Sequence, residues 1–270
     1  MKIFEVLAIT STLFNKILAW RIVMLNTTLR KQLNELKLTS FVELLDTNYE
    51  LYLKQGLSFS EMLSLLSDAE IQNRHQRRIE RLIKAAKFRY PSARLEEVTY
   101  APSRKLDKAI IQHLASGGWL EKKQNLLIFG ATGTGKTWLS CAIGIQACRQ
   151  GYETLFITAH QLLEELSDAL LDGSLIRLRR KLIKSRLLII DDFALGQIDI
   201  QIAPLLLEII DLQSMNGSLM ITSQFSIEHW HDKFSDSTIA DALLDRVINQ
   251  AHIIELKGKS MRKVADAFDG

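Results

Sequence analysis

Residues 126–140 read LLIFGATGTGKTWLS, and this stretch decides the fold. Its four apolar residues, Leu126 to Phe129, form a run of the length expected for a strand buried on both faces. Gly130, Ala131, Thr132, Gly133, Thr134, Gly135, Lys136 and Thr137 follow, and they match G-x-x-x-x-G-K-[ST]. The glycines let the backbone bend until its N–H groups converge on phosphate oxygens. A helix predicted over 135–150 points its positive end at the same anion. Lys136 is then suited to the β- and γ-phosphates, and the Thr137 hydroxyl to Mg2+. A glycine-rich connection without a ligand is the competing reading, and the strand before and helix after argue against it.

Downstream, short apolar runs at 154–158, 187–190, 218–222 and 252–256 alternate with helical patterns at 160–171, 174–184, 199–214 and 238–248. Thr158 and Gln161 form a capping-box pattern, and Gly173 closes that helix. Such alternation predicts a parallel sheet covered on both faces, an α/β class. The run Leu187–Ile190 ends in two adjacent acids, Asp191 and Asp192. Burying either is costly unless a positive partner meets it. In phosphate-loop enzymes a strand-end acid holds the Mg2+ shell, a role that fits Asp191. Asp192 is then suited to orient and deprotonate an attacking water. Thr222, Ser223 and Gln224 end another strand, within reach of a γ-phosphate. Arg246 and Arg262 are candidate charge-stabilising arginines, although a surface salt bridge is the commoner use of an arginine.

Upstream, residues 30 to about 90 read as helical, with Ser58 or Ser60 capping the second segment and Tyr90-Pro91 ending it. That segment is rich in base: Arg74, Arg77, Arg78, Arg81 and Lys84 fall largely on one stripe. A solvated face and a nucleic-acid footprint both explain such a stripe. The chain of 270 residues is 47% hydrophobic and 24% charged with a net charge of +3, a globular profile that by itself points only weakly to an anionic partner. Cys141 and Cys148 lie roughly 10 Å apart along one predicted helix, too far for a disulfide, as expected in a reducing compartment. The first 25 residues are apolar, but Glu5, Asn15, Lys16 and Arg21 interrupt them, which argues against a membrane span. Met24 is a candidate start. His229, Trp230 and His231 lack a third ligand at zinc spacing.

Together GATGTGKT, LLIIDDF, ITSQ, HWHDKFSDSTIADALLDRV and AHIIELKGKSMRK resemble, in that order, the IstB-like ATPases, the transposition helpers of bacterial insertion sequences related to DnaC-type helicase loaders. The likeness runs from about residue 36 to 263. It implies an AAA+ P-loop core at 96–263, a small helical DNA- or partner-binding domain at 30–95, an extension at 1–29 and a tail at 264–270. It further implies ATP and Mg2+ as cofactors, Gln224 or Ser223 as sensor 1, Arg246 as an arginine finger given to a neighbouring subunit, and Arg262 as a sensor-2-like residue. Three positions depart from the family pattern: Ala131 replaces a proline, Ala194 replaces the glycine after DDF, and Lys259 replaces a glutamate.

The implied partners are duplex DNA, further copies of the chain and a transposase, in the cytoplasm and without a membrane. In that setting Arg177, Arg179, Arg180 and Lys181, with Lys184, Arg186 and the stripe at 74–84, are expected to line a DNA path by sequence-tolerant phosphate contacts. The same residues leave two other readings open. A helicase loader shares the fold, and a P-loop nucleoside or small-molecule kinase shares the loop, although an arginine-rich lid and an acceptor pocket are not evident. No N-K-x-D motif follows to suggest a GTPase.

Overall fold

The computed structural model describes residues 27–261. The chain divides into two compact units between Arg77 and Arg78. In the first, helical residues 27–35 precede α1 (Thr39–Lys54) and the long α2 (Phe59–Ala86), whose last third, from Arg78, belongs to the other unit. The start of α2 is fixed by Ser58. Its Oγ accepts from the Glu61 N–H at 3.3 Å, while the Glu61 carboxylate accepts from the Ser58 N–H at 2.8 Å. That reciprocal pair is a capping box. Glu70, buried on α2, accepts from the Ser40 and Phe41 N–H groups and so caps α1. The helix stops at Ala86, earlier than Pro91 suggested, because Lys87 adopts a left-handed φ of 59°.

The second unit is built on five parallel strands, β1 (Asn125–Gly130), β2 (Thr154–Thr158), β3 (Leu187–Phe193), β4 (Ser218–Ser223) and β5 (Ala251–Leu256). Their order is β2-β3-β4-β1-β5, with all four pairings parallel. Helices α3 (Lys108–Ser116), α4 (Gly118–Glu121), α5 (Lys136–Arg149), α6 (Ala159–Asp172), α7 (Leu175–Ile183), α8 (Ala203–Asn216) and α9 (Ser237–Ile248) connect or flank them.

Strand alternation sorts the apolar residues into two cores. Leu126, Ile128, Leu187, Ile189 and Met220 join one with α3, α4 and α5, against which Leu82 and Ile83 of α2 also pack. Leu127, Phe129, Leu188, Ile190, Leu219 and Ile221 join the other with α6 to α9. Every residue from Leu187 to Asp191 is buried, as a central strand requires. Cys141 and Cys148 are buried free thiols of α5, and burial pushes each up to about 11. Helix α8 starts at Ala203 rather than 199, because Asp199 ties residues 201–203 into a turn and Pro204 then begins the helix. Thr158 caps α6 by accepting from the Gln161 N–H, and Gly173 ends it with φ 75°. No helix among the described residues is long and apolar enough to cross a membrane.

Candidate nucleotide site

Strand order reverses at β1, since the chain runs from it to β2 at the far edge and later returns to β4 alongside. Ligands of such sheets bind beyond the carboxyl ends of the strands near this reversal. There β1 delivers the glycine loop, β3 the acid pair and β4 Gln224, with β4 lying between the other two. Loop and acid pair are therefore about two strand spacings apart, roughly 9–10 Å.

The Lys136 side chain is buried over the loop and donates to the Gly130 and Ala131 carbonyls at 2.8 and 3.1 Å. Thr132 donates to Gln224 Oε1 at 2.6 Å, joining the loop to the tip of β4. Gly133 has φ 84°, and a β-carbon there would meet Ser260 Oγ at 2.3 Å, so only glycine admits the chain that crosses it. That crossing chain is the segment after β5, whose Met261 N–H donates to the Gly133 carbonyl at 2.9 Å.

Asp191 is fully buried. Its Oδ1 accepts from the Thr222 hydroxyl at 2.6 Å, and its Oδ2 has no partner of good hydrogen-bond geometry. Burial raises its pKa above the usual carboxylate range, and the neighbouring Asp192 charge adds to that. The Thr222 and Thr137 hydroxyls and Arg89 oppose the rise, so Thr137 stands close enough to act on the carboxylate although no well-formed bond joins them. A buried carboxylate oxygen left unsatisfied beside a threonine hydroxyl is a hard-oxygen donor set of the kind Mg2+ takes.

The β3–β4 register slips between Ile190 and Phe193, and within that bulge Asp192 takes φ 57° with its N–H on Thr222 Oγ1 at 3.0 Å. The bulge turns Asp192 away from its buried neighbour and into the cavity. This is how two adjacent carboxylates serve different places. Ala194 also has positive φ, 62°, at the position where a glycine would be unstrained.

The cavity is about 450 Å³, and Thr132, Gly133, Gly135, Lys136, Thr137, Asp192 and Gln224 line it. A second group lines it that no nucleotide-binding motif announces: Tyr90, Glu97, Thr99, Arg104, Trp138 and Met261, the last within the quoted AHIIELKGKSMRK. Tyr90, Glu97, Thr99 and Arg104 precede the loop by tens of positions and carry no such signal, whereas Trp138 adjoins the loop and Met261 follows it by more than a hundred residues. Thr222 and Ser223 are fully buried and serve the frame. Ser223 donates to the Phe193 carbonyl and accepts from the Phe225 N–H and the indole N–H of Trp230. Trp230 is core, packed on Phe129 and Phe193, while His229 bonds Ser226 and His231 pairs with Asp241.

Arg246 stands elsewhere. It lies near the end of α9, paired with Asp211 of α8 and donating to the Ala242 carbonyl at 2.8 Å. Asn125, the first residue of β1, donates to the Arg246 and Val247 carbonyls, so Arg246 sits at the opposite end of that strand from the loop. The strand's length puts it about 17 Å from its own glycine loop. Arg262 lies outside the described residues.

The basic residues are spread over both layers. Arg179 pairs with Glu208 and Lys181 with Glu165, whereas Arg177 and Arg180 are exposed. Arg74 pairs with Glu70 within the first unit, and Arg77, Arg81 and Lys84 are exposed on α2. Helix α7 packs on one face of the sheet and the end of α2 on the other. They approach at one corner, where Arg78 donates to the Gly151 carbonyl and Lys184 pairs with Glu153, just before β2.

Residues 31–267 match the family of IstB-like ATP binding proteins. The chain belongs to that family. An IstB-like relative named as insertion sequence ATP-binding protein y4uH of Sinorhizobium fredii is 39% identical over 209 residues, covering 77% of this chain and 84% of that protein. Another, named as an ATP-binding protein of insertion sequence IS1162 in Pseudomonas fluorescens, is 43% identical over 193 residues, covering 72% and 84%. Among solved structures, the IstB-like fold is shared with DnaI (TM-score 0.54, 19% identity, 66% of this chain and 94% of that one) and with the DnaC helicase loader (TM-score 0.53, 20%, 63% and 99%). At those identities the likeness establishes the fold alone.

Proposed function

We propose that this IstB-like protein binds ATP with Mg2+, hydrolyses it slowly, and assembles on duplex DNA as the helper of a transposase. The observation that carries the reading is the meeting of Lys136, Thr137, Asp191, Asp192 and Gln224 at one carboxyl edge, with Asp191 Oδ2 buried and unsatisfied beside Thr137. Thr137 and Asp191 would hold Mg2+, which when bound neutralises charge developing on the phosphate oxygens. Lys136 exchanges its two loop carbonyls for phosphate oxygens. Asp192 orients a water and takes its proton as the water oxygen bonds to the γ-phosphorus and the bond to the β,γ-bridging oxygen breaks. Gln224 is the sensor at the β4 tip.

Arg246, remote from its own loop, serves a neighbouring copy, and Arg262 follows the segment that crosses Gly133. Head-to-tail contact of this kind joins one subunit's carboxyl edge to the next one's α9. The insertion-sequence names of the relatives support the transposase context, and the exposed bases Lys84, Arg177 and Arg180 support contact with DNA phosphates. ATP hydrolysis measured with and without duplex DNA, beside filter retention of DNA at low and high salt, tests the reading. Hydrolysis raised by DNA and salt-sensitive retention are expected. An ATP-loaded protein that retains no duplex at low salt would refute the DNA part.

A further inference from the structure

Arg104 belongs to no motif, yet its guanidinium lies in the nucleotide cavity. One amino group donates to the carbonyl of Thr134 in the glycine loop at 3.0 Å, and the other to the carbonyl of Thr99 at 3.2 Å. A β-carbon placed on Gly135 would come within 3.3 Å of Nη2, so the cation runs alongside the loop step just before Lys136. The backbone at Arg104 is itself held, since its carbonyl accepts from the Lys257 N–H at 3.2 Å. The side chain is thus anchored at both ends and aimed.

What it lacks is an anion. No carboxylate pairs with Arg104 among the described residues, and Glu97, which lines the same cavity, makes no ion pair with it. Burial alone acts on the guanidinium and lowers its pKa, with no negative neighbour to oppose that. Partly desolvated cations are ordinarily answered by an opposite charge, and two neutral carbonyls do not supply one. A guanidinium bonded through two of its five donors keeps others for an oxyanion, and its planar fork suits phosphate.

We propose that Arg104 is a phosphate-binding residue of this site, contacting the phosphate chain of the bound nucleotide while it holds the Thr134 carbonyl. This rests on nucleotide binding in the cavity. It adds to that reading a second cation, from the segment ahead of the loop, beside Lys136. Because Arg104 also ties residues 99 and 257 to the loop, the contact links nucleotide binding to both flanking segments.

The test is equilibrium binding of adenosine, AMP, ADP and ATP to the full chain and its variants. Arg104→Gln retains a donor for the Thr134 carbonyl and removes the charge, while Arg104→Lys retains the charge and loses the fork. Arg104→Gln is expected to weaken ATP and ADP about 10- to 100-fold, as for a charged hydrogen bond lost, and to leave adenosine unchanged. Arg104→Lys should recover part of that loss. Thermal melting without nucleotide should match the parent. Unchanged ATP affinity in Arg104→Gln, or an equal loss for adenosine and ATP, would overturn the proposal by making Arg104 a tether alone. If the parent binds no ATP while Arg104→Gln folds as it does, the failure is that of the nucleotide site itself.

Discussion

The two ends of the parallel sheet are built to opposite rules. At the carboxyl edge, charged groups are left incomplete among the described residues: Asp191 Oδ2 has no well-formed bond and Arg104 has no anion. At the amino edge, the named charges are answered within the chain, Arg246 by Asp211 and Lys184 by Glu153. Asn125 there bonds the Leu219 N–H and two carbonyls of α9. Unanswered charge is costly, so the first edge is arranged for something that arrives, and the second for holding the frame.

Arg246 strains that division most, being an amino-edge residue with a proposed part in hydrolysis. Arg246→Ala is expected to lower ATP turnover by about 10³-fold or more while leaving nucleotide affinity largely intact. Mixing it with a Lys136→Ala variant should restore part of the activity, because one subunit then supplies the site and the other the arginine. Normal turnover in Arg246→Ala alone would confine Arg246 to its pairing with Asp211. Next comes Asp192→Asn, expected to slow hydrolysis about 10²- to 10⁴-fold with ATP binding and assembly retained. Weakened binding instead would mark Asp192 as a ligand of the bound nucleotide and its ion.

The amino edge is probed by Asn125→Ala, which strands one buried N–H and two carbonyls. A loss of about 2–3 kcal/mol in chemical denaturation is expected, with little change in nucleotide affinity once folded. Asp191→Asn should do the reverse. Since the folded-state pKa of Asp191 is raised, ionisation of this group opposes folding, and stability from it grows as pH falls through the folded pKa toward the unfolded value. The neutral amide should therefore stabilise the ligand-free protein by about 1 kcal/mol, flatten that acid-side gain, and remove Mg2+-dependent ATP binding. Ala194→Gly is the smallest expected effect. Relief of φ 62° is worth about 1 kcal/mol and is partly offset by glycine's greater freedom when unfolded, so melting should rise slightly or stay level.

Much of the carboxyl edge is legible in sequence, and little of the amino edge is. Strands such as Leu187–Ile190 declare themselves because burial on both faces demands continuous apolar residues, and the loop does because phosphate needs glycines and a lysine at fixed spacing. The Thr158 cap is a local bond between residues three apart, and so is readable. Asn125 and Arg104 act through partners brought near by the sheet, 94 and 30 residues away, and spacing carries no trace of them. That Gln224 lines the cavity while Ser223 is buried in the frame follows from which way each faces at the end of β4, and sequence spacing does not show it. The end of α2 falls four residues before Tyr90 because Lys87, which no sequence rule marks as a stop, takes the left-handed turn.

Both native thiols are sealed inside α5 and pushed up to about 11. At pH 8 only about one in a thousand is thiolate while the core stays closed. Maleimides and disulfide reagents therefore read global opening of the core rather than traffic at the nucleotide cavity. A cysteine introduced on the surface would be the one labelled, so the parent chain is already a clean background for dye pairs that test the proposed subunit contact.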